Sequence, residues 1–305
     1  MCIRDSNLFT TLIEDIDSLE EHDYALLSDL NDNEYNNFVN TWNILDLESK
    51  SKLIGRLYEL SEENSDLNFE KLFKLGLQST DESIIYSSLE GLWESEGHDT
   101  LRRLIRLANT NLSPHVKGSV MTHISRFILL GHDGRINSVM LENIHQLLKA
   151  AYTNTDEPTE IRRRALESLG YFDDLETQEY IKEAYASNNP VLKVSSIYSM
   201  GKTCNDIWIP ILIEELKNED PEVRYESVEA LVEIGQDDCA DVLMDLITDD
   251  DQQVRLSIIS GLGKLGTLSS KELLLGCLED DDDEIAEAAR IALENIDFLE
   301  DPLGL

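Results

Sequence analysis

DPEVRYESVEALVEIG, residues 220–235, contains the pattern that decides the fold. Counted from Val223, the small or apolar residues stand four, seven, eight and eleven positions later, at Ser227, Ala230, Leu231 and Ile234. The frame has a period of 31 residues, and its other starts are Ile161, Leu192, Val254 and Ile285. A fixed period of this length is typical of stacked repeats, in which each unit is too small to bury its own apolar face.

Two earlier copies, starting at Ile84 and Val116, extend the frame. The position eight residues after each start is apolar in every copy: Leu92, Ile124, Leu169, Met200, Leu231, Leu262 and Leu293. The position seven residues after the start is mostly small: Gly91, His123, Ser168, Ser199, Ala230, Gly261 and Ala292. Offsets of 4, 7, 8 and 11 share one face of an α-helix, which predicts a helical repeat. We expect the small residues to allow a close approach by a neighbouring helix.

Residues that typically begin a helix stand just before several copies of the repeat frame. Asp220 is an N-cap acceptor, and Pro221 follows it at the first helical position. The same arrangement, or the cap without the proline, recurs at Ser113-Pro114, Asn189-Pro190, Asp251 and Asp282. A further apolar segment precedes the later starts, at residues 207–216, 239–247 and 271–278. The unit is therefore predicted to be two helices joined by a tight turn.

These runs resemble HEAT repeats, whose segments have the form D-P-x-V-R-x-x-A-x-x-A-L-x-x-I-G. Residues 220–235 are the best copy, and the resemblance covers roughly residues 67–297. It implies an all-α fold, a right-handed α–α superhelix or alpha solenoid of HEAT-like helix pairs. The chain also resembles bacterial HEAT-repeat proteins. This resemblance implies a scaffold and no particular reaction, because HEAT proteins mostly share their architecture.

The predicted organisation has three parts. Residues 1–33 form an acidic N-terminal segment, and residues 1–6 of it resemble the translated remnant of a sequencing adaptor, which predicts that they are artefactual. Residues 34–297 form a HEAT-like solenoid of about eight helix pairs. Residues 298–305 form a C-terminal tail, which we expect to fold back over the last repeat. About 14 extra residues separate the copies at Val116 and Ile161; they predict a loop at Gly131 to Gly134 and a lengthened helix from Asn137 to Tyr152.

The charge is strongly negative, at −37, which argues against nucleic acid or an anionic membrane as partner. Residues 101–165 depart from this background, with ten Lys/Arg against five Asp/Glu. We call its two arginine clusters the basic island: Arg102, Arg103, Arg106, Arg162, Arg163 and Arg164. Three interpretations stay open for it: a phosphate or acidic-peptide site, a contact with an acidic end of this or another copy, or a solvated surface.

Carboxylates cluster in the predicted turns between the two helices of successive pairs. We call these residues the acidic turns: Glu219, Asp220, Asp249, Asp250, Asp251, Asp280, Asp281, Asp282 and Asp283. Turns about 10 Å apart are near the Debye length of about 8 Å, so their carboxylates repel each other weakly. A multivalent basic partner could engage several of them. The alternative is N-capping and solubility.

No catalytic or cofactor-binding motif is present. The sequence contains no GxGxxG, no P-loop and no HExxH, and it lacks the His-Glu dipeptide of iron-binding HEAT hydroxylases. His123, in the small-residue column, is interpreted as a packing residue. The four cysteines show no CxxC spacing, so we expect buried free thiols and a cytoplasmic protein without cofactor or metal.

Three functions remain as hypotheses. The leading one is a noncatalytic scaffold that binds another protein, one with a basic surface, through salt-sensitive contacts. The second is an accessory or lyase-like subunit resembling the HEAT-repeat pigment lyases of phycobilisomes. The third is phosphate or nucleic-acid binding through the basic island. The sequence leaves the oligomeric state open.

Overall fold

The protein is described by a computed structural model, which gives the backbone of residues 4–300 and the side chains of residues 8–298. Within these ranges the chain forms 18 α-helices and two short 3₁₀ helices, with no strand. The predicted all-α class is confirmed. Residues 1–3 of the predicted artefactual segment and residues 301–305 of the predicted tail lie outside the described residues.

Two short helices lead into a series of helix pairs. They are α1 (Arg4–Glu14) and α2 (Glu21–Ala25), separated by a 3₁₀ turn at Ile16–Ser18. Among the described residues, eight pairs follow: α3 (Asp32–Ile44) with α4 (Leu47–Glu63), α5 (Glu70–Gly76) with α6 (Glu82–Glu90), α7 (His98–Ala108) with α8 (Pro114–His132), α9 (Ser138–Thr153) with α10 (Thr159–Leu169), α11 (Leu175–Tyr185) with α12 (Pro190–Lys202), α13 (Ile209–Glu215) with α14 (Pro221–Ile234), α15 (Asp238–Met244) with α16 (Gln252–Leu265), and α17 (Leu268–Cys277) with α18 (Asp283–Glu300).

The chain divides into two compact units, the first ending at Leu147 and the second beginning at Leu148. Within each unit, the second helix of a pair packs against the second helix of the next pair. These contacts join α4 to α6 and α6 to α8 in the first unit, and α10, α12, α14, α16 and α18 in succession in the second. Each unit is therefore a stack of helix pairs, the architecture of an α-solenoid.

Small residues do bring successive second helices close together. A Cβ atom added to Gly201 of α12 would lie 2.7 Å from the Cα of Ala230 in α14. Gly170 meets Ser199, and Gly263 meets Ala292, in the same way, at 2.9 and 2.8 Å. In these three contacts the small-residue column faces a glycine nine positions after the start of the preceding copy, which leaves no room for a side chain between the backbones. Between α14 and α16 the glycine is in the column instead, and Gly261 faces the side chain of Val232.

Most of the predicted helix caps are present. Asp220, Asn189 and Asp251 each accept hydrogen bonds from backbone N–H groups of the following turn, at 2.9–3.3 Å. Asp282 likewise accepts from the N–H of Glu284 at 3.0 Å. The prediction for Ser113 is wrong, because its side chain makes no capping bond and α8 begins on the proline alone. These caps fix where the second helices begin.

The extra residues between the third and fourth pairs lengthen helices. Helix α8 spans 19 residues and continues through Gly131 to His132, so the predicted loop is confined to a turn in which Gly134 has a φ of 73°. Helix α9 spans 16 residues, as the sequence predicts for residues 137–152 to within one position.

The last helix differs from its counterparts on its outer side. Helix α18 continues to Glu300, three residues into the predicted tail, and Phe298 is 65% exposed. Five residues after each start, the copies from Ile161 to Val254 carry a fully buried apolar side chain: Leu166, Ile197, Val228 and Ile259. Arg290 occupies this position in α18 and pairs with Glu287 and Glu294. A charged outer side gives the stack a solvated end face.

Candidate protein-binding surface

Four glutamates form a line along α14, in the second unit. They are spaced four, three and four residues apart, which places them on one stripe of the helix: Glu222, Glu226, Glu229 and Glu233. We call this set the glutamate stripe. Like charges at these spacings destabilise a helix, by about 0.2–0.5 kcal/mol per pair. This repulsion opposes formation of α14, and the place of Glu222 in the first turn, where the helix dipole favours an acid, offsets part of it.

Only part of the stripe is neutralised by neighbouring helices. Lys202 of α12 lies 2.9 Å from Glu233, and Lys264 of α16 lies 3.7 Å from Glu229. Ser257 donates a hydrogen bond of 2.6 Å to Glu229. Four carboxylates thus face two ammonium groups, and the hydrogen bonds hold Glu229 and Glu233 in fixed positions.

Glu226 is the least compensated member of the stripe. Burial, followed by the nearby carboxylates of Glu167 and Glu229, raises its pKa to about 7. Among the described residues, none donates a hydrogen bond to this carboxyl. A carboxyl in this position accepts a proton near neutral pH, and a positive group placed beside it would favour the ionised form instead.

Two tyrosines border the stripe on the side of the preceding helices. The hydroxyls of Tyr171 and Tyr198 lie 3.4 Å apart, and the Nζ of Lys202 lies 5.9 and 5.3 Å from the centres of their rings. Burial and the contact with Tyr171 raise the pKa of Tyr198, to which Glu167 and Glu226 add their charge. Lys202 thus occupies the position of a cation over both rings and links them to the stripe.

The arginines of the basic island are divided between the two units and paired within them. On α10, Arg163 contacts Glu160 at 2.5 Å and Glu167 at 3.1 Å, and Arg164 contacts Glu167 at 2.9 Å. Arg162 donates to the carbonyl of Tyr152 at 3.0 Å, with its guanidinium over that ring at 5.5 Å. These three arginines are therefore largely committed to contacts in their own unit.

The other half of the basic island lies on α7, in the first unit. Arg103 donates to Asp99 at 2.9 Å and to the carbonyl of Lys74 at 3.2 Å. Arg102 is exposed and lies 3.9 Å from Asp99. Arg106 is exposed, and its Nε donates to the carbonyl of Arg102 at 3.2 Å. Arg106 thus keeps the greatest freedom to meet an external anion.

The acidic turns are partly used for structure. Asp249 is nearly buried and accepts two hydrogen bonds from Arg224, at 2.8 and 2.7 Å, which join the pairs α13–α14 and α15–α16. Burial would raise the pKa of Asp249, but Arg224 and the N–H of Asp251 outweigh it and lower that pKa. Asp220, Asp251 and Asp282 are helix caps. The exposed remainder is Glu219, Asp250, Asp280, Asp281 and Asp283.

Other candidate chemistry gives no site. Among the residues that the structure describes, no group of three or more His, Cys, Asp or Glu side chains could hold a metal ion. Across the same residues, no helix has both the length and the apolar character needed to cross a membrane. His123 is buried, as predicted, against the ring of Trp93 with centres 5.0 Å apart. The cysteine prediction is wrong for Cys204, which is exposed.

Comparison with known proteins agrees with the repeat frame. A family model described as HEAT repeats matches residues 209–294, which include α14 and its stripe. The chain contains HEAT repeats. None of the curated proteins matches it.

Solved structures similar to these HEAT repeats come from several sources. The CpcE–CpcF complex of phycocyanin lyase from a Nostoc species has 13% identity over 74% of this chain and 94% of that one, with a TM-score of 0.49. Human deoxyhypusine hydroxylase has 17% identity over 85% and 94%, with a TM-score of 0.36. The Escherichia coli protein YibA has 15% identity over 96% and 98%, with a TM-score of 0.44.

The glutamate stripe is the feature that the repeat analysis misses. Its four members lie inside residues 220–235, but outside the fully buried columns that define the repeat frame. In the sequence, the stripe is the glutamate before Val223 and the glutamates three, six and ten positions after it. Like charges at helical spacing beside the buried columns are the signal that indicates such a stripe in a sequence.

Proposed function

We propose that this chain is a noncatalytic, cytoplasmic HEAT-repeat scaffold that binds a protein with a basic surface through the glutamate stripe. The proposal rests chiefly on the four aligned carboxylates of α14, of which two are matched by lysines. A basic partner would remove the like-charge repulsion that the free helix carries. HEAT-repeat solenoids generally bind other proteins, which is consistent with this role.

The surrounding side chains suggest how a basic partner would be held. A lysine or arginine of the partner would place its charged head near Glu226, which pairs with no lysine among the described residues, while Lys202 already lies over the ring of Tyr198. The net charge of −37 would draw a basic protein from a distance, so association should slow as salt increases. This mechanism moves the binding surface from the acidic turns to α14.

Two matched double variants test the location. An eight-residue oligolysine peptide serves as the probe, and its binding is measured by calorimetry at low and physiological salt. Glu229→Gln with Glu233→Gln should weaken binding about tenfold, which corresponds to about 1.4 kcal/mol. Glu219→Gln with Asp250→Asn removes the same charge from the acidic turns and should change the Kd less than about twofold.

A larger loss of oligolysine affinity in the turn variant than in the stripe variant would assign binding to the acidic turns. Equal losses of affinity in the two variants would mean that the peptide is held only by general attraction to the net negative charge. A pull-down from the source lysate with the same two variants then extends the test to natural partners. A basic protein retained by the turn variant and lost by the stripe variant is the expected result.

A further inference from the structure

The first unit contains a cleft that is lined by two arginines. It has a volume of about 640 Å³ and lies between the turn joining α5 to α6 and the C-terminal half of α7, with the loop after α7 at its edge. This volume falls within the range of about 300–1,000 Å³ that is typical of small-molecule sites. The cleft is independent of the proposed scaffold surface, which belongs to the second unit.

Part of the lining is apolar. Leu77, Ile85 and Leu107 contribute to the wall and are otherwise almost fully buried, and Leu112 is half-buried at the edge. Hydroxyl and amide groups from residues 78–80 and 110–111 alternate with them. A mixed lining of this kind suits a ligand that has an apolar body and one polar end.

Arg103 and Arg106 supply the positive charge of the cleft. They lie three residues apart on α7 and both line it. Asp99 and the carbonyl of Lys74 hold Arg103 in place, whereas Arg106 is exposed. Glu82 is the one carboxylate among the lining residues described, and it already accepts the N–H of Ser113 at 2.8 Å. Two guanidinium groups therefore line the cleft, of which Arg103 is paired with Asp99 and Arg106 with no carboxylate among the lining residues, in a chain whose net charge is −37.

We propose that this cleft binds a small anionic ligand, with a carboxylate or phosphate group at Arg103 and Arg106 and an apolar part against Ile85 and Leu107. Guanidinium groups bind both kinds of anion through paired hydrogen bonds. A nucleic acid fits less well, because its many phosphates would meet the carboxylates that dominate the rest of the surface.

The test uses hexyl phosphate and hexanoate as probes, with hexanol as the neutral control, in calorimetric titrations of the full chain. Both anions should bind with a Kd of about 1 mM or tighter, and hexanol at least about tenfold more weakly. The stronger of the two anions identifies the head group. Failure of both anions to bind at about 10 mM, or equal binding of hexanol, would overturn the proposal.

Two variants of α7 locate the site. Arg106→Gln should weaken anion binding about tenfold, whereas Arg102→Gln should leave the Kd within about twofold. Arg102 is the matched control because it is exposed on the same helix, one turn earlier, and does not line the cleft. Equal weakening by both variants would show attraction by the helix surface as a whole and contradict the cleft. Circular dichroism confirms that both variants remain folded.

Discussion

Replacing Gly201 with valine should lower the free energy of unfolding of the second unit by about 3–4 kcal/mol, because overfilling a tightly packed interior typically costs about 1–3 kcal/mol and a backbone clash adds to it. The added Cβ would lie 2.7 Å from the Cα of Ala230. A backbone atom cannot move aside as a side-chain end does, so α12 and α14 must separate. The measurement is urea unfolding followed by circular dichroism.

Gly55→Val is the matched control for this prediction. Gly55 lies inside α4, and a Cβ atom added there would meet nothing within 4 Å. Valine is a slightly better helix former than glycine, so this variant should be unchanged or more stable by up to about 0.5 kcal/mol. A loss at position 55 as large as the loss at position 201 would contradict this account, because the contact between α12 and α14 would then not be what limits position 201.

Replacing Glu226 with glutamine should stabilise the second unit by about 2–3 kcal/mol at pH 8 and by less than about 1 kcal/mol at pH 5. The pKa of Glu226 is about 7 in the folded chain, against an ordinary value of 4.5. Between these values the folded state binds a proton that the unfolded state releases, so stability falls as pH rises through this window. Glutamine keeps the shape of the side chain and removes the charge that burial and neighbouring carboxylates oppose.

Glu214→Gln controls for the general effect of removing one negative charge. Glu214 is exposed on α13, and its substitution should change stability by less than about 0.5 kcal/mol at either pH. Thermal unfolding of both variants at pH 5 and pH 8 makes the comparison. A Glu226 variant that gains no more at pH 8 than at pH 5 would show that this carboxyl is ionised throughout.

The stacking of helices follows from the sequence because each copy repeats the same physical requirement. One copy is ambiguous, but the buried columns at offsets of 4, 7 and 8 recur along the chain and identify a helix period. The small-residue column predicts the close approach seen at Ala230 and Ala292. The structure alone shows that these small residues contact Gly201 and Gly263, because the two glycines belong to the preceding copies and lie outside the columns that define the frame.

The candidate surfaces are less predictable, since they depend on which charges meet. The basic island forms a cluster in sequence, yet Arg163 pairs with Glu160 and Glu167, at spacings of three and four residues that the sequence already contains. The shifted pKa of Glu226 has a different origin. It depends partly on Glu167 of α10, a helix two pairs earlier in the stack, and no local pattern brings the two carboxylates together.

The measurement that tests the scaffold proposal most directly is the proton balance of binding. Oligolysine is titrated into the protein at pH 6.5 in two buffers of different ionisation enthalpy. With a pKa of about 7, Glu226 is mostly protonated in the free protein at this pH. A lysine bound beside it should release roughly half a proton, and the Glu226→Gln variant should release none. Binding without proton release, or with the same release in the variant, would contradict a basic partner on the glutamate stripe.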